Sequence, residues 1–160
     1  MSDLLVSVDH SALKVNQGSI ILLLLAAFVL DLPVLTAFTA VVMLLGTALN
    51  RPGFGFVYTR LLKPLGWVKP EVLNDHREPH RFAQGFGGVV LLISAFLLFS
   101  GAAGTGWALT WLVVALAALN LFVGFCMGCA MYYWFNRLHL PGFEKSPPKG
   151  ITAGMRPKAR

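Results

Sequence analysis

Charge is scarce in this sequence: Asp, Glu, Lys and Arg make up 12% of its 160 residues, while 56% are hydrophobic and the mean hydropathy is +0.69. So much apolar side chain exceeds what one small soluble core can bury, which excludes a soluble domain and indicates an integral membrane protein. The net charge of +6 does not point to nucleic acid, because the basic residues sit at membrane edges with no soluble domain to display them. Met1 to Leu13 carries no positive charge and no small-residue cleavage site, so it does not read as a cleaved signal peptide and the first helix is expected to stay in the membrane. Apart from Cys126 and Cys129 there is no cysteine. That leaves no second ligand pair for a zinc finger, and no CxxCH occurs to attach haem. No ionisable residue falls in the middle of a span, which argues against a transporter.

What is present is four apolar stretches, at about residues 15–30, 32–49, 82–100 and 107–134. Asp31-Leu32-Pro33 marks a tight turn between the first two, and Gly101-Ala102-Ala103-Gly104-Thr105-Gly106 links the last two. The expected fold is an all-α integral membrane four-helix bundle made of two transmembrane hairpins, occupying residues 1–143, with 144–160 as a basic cytoplasmic tail, disordered or partner-bound. Residues 50–81 form an interfacial and cytoplasmic segment. Within it, Phe54 to Lys63 reads as a short amphipathic helix with its aromatics in the headgroups, and Lys69 to Arg81 as a polar stretch folded over the mouth of the bundle.

Lys14, Arg51, Arg60, Lys63, Lys69, Arg77, Arg81 and Arg137 all fall on one side of the spans, and neither hairpin turn carries a cation. The positive-inside rule then puts both termini and the central segment in the cytoplasm. The fourth stretch, read as one continuous helix anchored by Trp107, places Cys126 and Cys129 near the cytoplasmic interface, followed by Tyr132, Tyr133 and Trp134. Two thiols three residues apart on a helix share a face, where they can pair, hold a metal or pass on sulfur and electrons. A reducing compartment disfavours a permanent structural disulfide.

A weak internal duplication gathers more residues there. Lys14-Val15-Asn16-Gln17-Gly18 matches Arg81-Phe82-Ala83-Gln84-Gly85, and each copy follows an Asp-His pair, Asp9-His10 and Asp75-His76. Parallel repeats would bring the starts of the first and third spans together. His10, His76, His80 and the cations Lys14, Arg81 and Arg137 then converge on the thiols, favouring thiolate. The candidate site is Cys126 and Cys129 as reactive groups, with His80, His76, His10 and Arg81 in support. If a metal is held, the candidate ligands are Cys126, Cys129, His76 and His80. Each residue also has a plainer role. Gly124 and Gly128 form a GxxxG pattern that explains the cysteines as close helix packing, and Gln17, Gln84 and Asn120 suit hydrogen bonding between helices.

Asp9-His10 with Asn16-Gln17-Gly18, Asn50 with Pro52-Gly53-Phe54, His80-Arg81-Phe82-Ala83-Gln84, Gly124-Phe125-Cys126-Met127-Gly128-Cys129 and Leu140-Pro141-Gly142-Phe143 together resemble the bacterial membrane family catalogued as domain of unknown function number 4395. The resemblance implies a small prokaryotic integral membrane protein and no particular activity. Three functional expectations follow from the residues. The first is a bacterial inner-membrane thiol pair facing the cytoplasm, in redox exchange or sulfur relay with a soluble thiol or sulfur-carrier protein. The second is a non-catalytic accessory subunit of a larger membrane complex. The third is a metal or haem site at the cytoplasmic mouth. No cofactor is specified.

Overall fold

The computed structural model describes residues 6–66, 70–147 and 150–156, so the expected place of Lys69 lies outside the described residues. The chain is mostly helical, in the order β1 (Val6–Asp9), α1 (His10–Val29), α2 (Pro33–Ala48), α3 (Gly55–Val57), β2 (Val72–Asp75), α4 (Arg77–Phe99), α5 (Ala103–Ala118) and α6 (Met127–Arg137). Three helical stretches, His10–Val29, Arg77–Phe99 and Ala103–Val123, are long and apolar enough to cross a membrane. The 16 residues of α2 are apolar but shorter, about 24 Å against a hydrocarbon core of about 30 Å.

Local chemistry sets the ends of these helices. Asp9 is extended and accepts a hydrogen bond from the Ser11 N–H at 3.0 Å, which starts α1 well before the apolar run. Pro79 sits in the first turn of α4, where its missing N–H costs nothing. The α1–α2 turn uses Asp31 at φ 49° and Pro33 as the first helical residue. Gly101, at φ 89°, turns the chain into α5, which begins at Ala103 rather than Trp107. Gly104 and Gly106 therefore belong to the helix, not to the linker. Gly106 lets Leu98 approach closely, and Ser94 Oγ donates to its carbonyl at 2.7 Å.

α1 packs against α2 and α5, and α4 packs against the same two helices. Ile20, Leu24, Ala40, Met43, Leu91 and Val113 fill the space between them. Apolar residues such as Leu22, Phe38 and Phe96 face outward, as expected of a surface solvated by lipid.

Two parts of the sequence reading need correction. The fourth apolar stretch is not one helix. α5 continues through a π-helical turn, Leu119–Val123, and stops at Gly124, whose φ of 75° is a conformation glycine adopts without the strain a side chain brings. A new helix, α6, starts at Met127. Gly124 and Gly128 thus do not lie on one helix face: Gly124 breaks the helix, while only Gly128 serves close packing, against Ala83. The amphipathic segment is also different. α3 runs into a π-helical turn, Tyr58–Leu62, and Phe54 and Tyr58 are buried in the protein instead of lying among headgroups.

The periodicity did not reveal β1 and β2. They pair antiparallel, Val6 opposite Asp75 and Asp9 opposite Val72, and the His10 N–H donates to the Glu71 carbonyl at 2.8 Å. Lys14 forms an ion pair with Glu71. This ribbon ties together the starts of α1 and α4, the two ends the duplication makes equivalent.

Candidate functional site

Cys126 caps α6 in an extended conformation, and its Sγ accepts a hydrogen bond from the Cys129 N–H at 3.2 Å. The helix break frees Cys126 from α-helical geometry, and the two Cα atoms lie 5.2 Å apart, within the range a disulfide spans. The sulfurs are bonded to each other. This departs from the expectation of two thiols inside a helix, where such a bond is harder to close. Both residues are buried, with 6% and 3% of their surface exposed.

His80, on α4, stands between the sulfurs and a carboxylate. Its Nδ1 is 3.4 Å from Cys129 Sγ, and its Nε2 is 3.0 Å from Asp75 Oδ2. Asp75 ends β2 and is buried. His10 Nε2 comes within 3.4 Å of the same carboxylate oxygen, an ion-pair contact rather than an aligned hydrogen bond, and its ring meets that of His80 edge to face. Burial pushes the Asp75 carboxyl up, but His10, His80 and the His76 backbone N–H together more than offset it and hold the group well below the usual carboxylate range. Asp75, His80 and Cys129 therefore form a line from acid to imidazole to sulfur. Such a line can move a proton to and from a thiol.

The remaining expected site residues are placed elsewhere. His76 is buried at the start of α4, and it is its backbone N–H that meets Asp75. Arg81 Nε donates to the Thr47 carbonyl at 2.9 Å, closing the end of α2. Lys14 is held by Glu71. The cation beside the sulfurs is Arg156, which donates to the Asn120 carbonyl at 3.0 Å and lines a small cavity of about 20 Å³ with Cys126 and Cys129. The expectation of a disordered or partner-bound tail does not hold for residues 150–156. The Cys126 N–H donates to the Gly154 carbonyl at 2.8 Å, the Arg156 N–H donates to the Gly124 carbonyl at 2.9 Å, and Met155 bridges Phe125. Gly154, at φ 85°, passes so close that a β-carbon would stand 2.8 Å from the Cys126 carbonyl oxygen.

In the sequence Asp75 stands out as part of an Asp-His pair with no assigned role, Arg156 only as one of the basic residues after the fourth span, and Gly154 not at all. The repeated Asp-His pair was the available signal for Asp75. For Gly154 and Arg156, no local pattern distinguishes them from an ordinary Gly-rich basic tail.

A family model for a domain of unknown function, DUF4395, matches residues 8–137. The chain belongs to this family. No curated protein and no solved structure matches it. The match covers β2, the second half of β1, the helices and the disulfide of this DUF4395 chain, and stops short of the residues 150–156 that fold over Cys126.

The same groups offer metal ligands. Ligand atoms of His80, Cys126 and Cys129 lie within 4.8 Å of one another, and so do those of His10, Asp75 and His80. Cysteine and imidazole together suit zinc or iron, with the sulfurs available as ligands once the disulfide is reduced.

Proposed function

We propose that the chain is a bacterial inner-membrane protein with four crossings, α2 included, whose Cys126–Cys129 pair cycles between disulfide and dithiol in exchange with a soluble thiol partner. The orientation reading puts this site at the cytoplasmic side, because the ends of α1, α2 and α4 that carry cations are those beside it. The observation that carries the reading is the contact of Cys129 Sγ with a His80 ring already held by Asp75. A partner thiolate attacks Cys126 Sγ, the sulfur–sulfur bond breaks, and Cys129 leaves with the electron pair and takes a proton from His80. The partner's second thiol then attacks the mixed disulfide, departs oxidised, and leaves Cys126 as a thiolate facing the Cys129 N–H.

Inverted membrane vesicles test this directly. After mild reduction both cysteines should take up a maleimide, read by quantitative mass spectrometry; without that reduction, the disulfide form should oxidise a dithiol protein such as reduced thioredoxin in a Cys126-dependent way. Failure of either thiol to label, in vesicles of either orientation, would remove the proposal.

The clustered ligand atoms favour a second reading, a metal centre on His80, Cys126 and Cys129. Elemental analysis of protein purified under reducing conditions separates the two, since a metal centre requires a stoichiometric ion.

A further inference from the structure

The disulfide has a second side. A cavity of about 100 Å³ is lined by Cys126 and His80 and extends between the helices of the bundle. Phe86, Leu112 and Met127 line it too and are 43%, 49% and 42% exposed, so it opens on the outer face of the helices, where the proposed membrane places lipid. Two amide side chains sit in its wall, Gln17 from α1 and Asn120 from the turn after α5. Neither side chain is hydrogen-bonded to a described residue, although polar groups at membrane depth ordinarily find partners on neighbouring helices.

We propose that this cavity receives the ring of a lipid-soluble quinone, and that the Cys126–Cys129 dithiol reduces it. The inference rests on the thiol-exchange reading and supplies what that reading lacks, an electron acceptor that reoxidises the pair. A lipid acyl chain would suit the apolar wall but leave both amides without acceptors. A quinone offers a flat apolar ring and carbonyl oxygens, and it reaches the cavity through the bilayer. Cavities of about 150 Å³ hold a benzene ring. Here the ring is admitted by shifts of Met43 and Met131, flexible side chains that also line the space.

The reaction balances within these groups. Cys126 Sγ, as thiolate, bonds to a ring carbon. Cys129, giving its proton to His80, attacks Cys126 Sγ and forms the disulfide. The carbon–sulfur bond breaks with its electron pair left on the ring, and the two protons lost by the thiols end on the two ring oxygens. One dithiol becomes one disulfide and one quinone becomes one hydroquinone.

The test uses the intact protein in lipid nanodiscs, reduced and freed of excess reductant, with a short-tailed ubiquinone analogue as the probe. Ultraviolet absorbance should show one hydroquinone formed per protein, and none with Cys126→Ser. In Gln17→Leu and in the cavity-filling Gly87→Leu, the rate of reoxidation by quinone relative to that by diamide, a water-soluble thiol oxidant, should fall about tenfold. Two variants on different helices guard against one that fails to fold. Ready oxidation by diamide and by partner disulfides, with no hydroquinone formed, would overturn the quinone inference and leave thiol exchange standing. Thiols that exchange with nothing would overturn both. An unchanged ratio in both folded variants, with lipid retained in the cavity, would assign the space to an acyl chain and overturn the inference as well.

Discussion

The two halves of the molecule start alike and finish differently. Each begins with a strand, an Asp-His pair and a helix carrying a glutamine two turns inside, Gln17 in α1 and Gln84 in α4. Gln84 lies against the end of α2, where its amide donates to the Met43 and Arg51 carbonyls and to Thr47 Oγ1 and accepts from the Gly53 N–H. That end is closed tightly: a β-carbon on Gly46 would stand 2.5 Å from the Gln84 amide nitrogen. Gln17 makes no corresponding bonds and faces a cavity beside the end of α5, with the disulfide next to it. The lesson is that one scaffold can seal a helix end with a saturated amide in one half and leave the equivalent place open, beside a disulfide, in the other.

The largest expected effect concerns the open half. Cys126→Ser should lower partner oxidation on the order of a thousandfold or more, measured as mixed-disulfide formation in single-turnover experiments. His80→Gln should lower the exchange rate about a hundredfold and flatten its pH profile, since the group that gives Cys129 its proton is gone. A variant as active as the wild type would sever the acid-to-sulfur line.

The glutamines sharpen the contrast. Gln84→Leu leaves carbonyls and an N–H unpaired and should cost about 1–3 kcal/mol of stability in detergent, whereas Gln17→Leu should change it by less than about 0.5 kcal/mol. Equal losses in chemical or thermal unfolding would show that the halves are not built differently. Asp75 gives a smaller effect with a definite sign. Its folded-state carboxyl is held low, so the stability it contributes is present above the unfolded value of about 4 and fades as pH falls toward the folded one. The unfolding midpoint of the wild type should fall on acidification below that range, and Asp75→Asn should blunt the dependence. Gly124→Ala is expected to cost about 1 kcal/mol at its left-handed φ and to speed maleimide labelling of reduced Cys126.

Much of the scaffold was legible in composition and punctuation. Asp31-Leu32-Pro33 announces its turn because a positive φ and a proline at the first helical position leave few alternatives, and hydropathy marks α1, α4 and α5. The break at Gly124 was not legible from hydropathy, since apolar residues run straight through it and hydropathy carries no information on φ. Its glycine, read as packing, was equally a helix stop. Strands of four residues, β1 and β2, fall below any periodic signal. Of the candidate site, the cysteines and His80 came from residue type and spacing. Asp75 became meaningful only once the ribbon carried it under His80 and His10, because that neighbourhood joins residues far apart in the chain.

The same break has an electrical consequence. α5 and its π-helical turn end with their carbonyls at Gly124, and α6 begins at Met127 with Cys126 at its amide end, so a negative helix pole and a positive one meet across two residues. The Arg156 guanidinium, bonded to the Asn120 carbonyl, offsets the negative pole. In the dithiol that the proposed exchange leaves behind, the remaining charge is therefore held by Cys126 at the amide pole, while Cys129, deeper in α6 and beside the imidazole, is the sulfur that handles the proton.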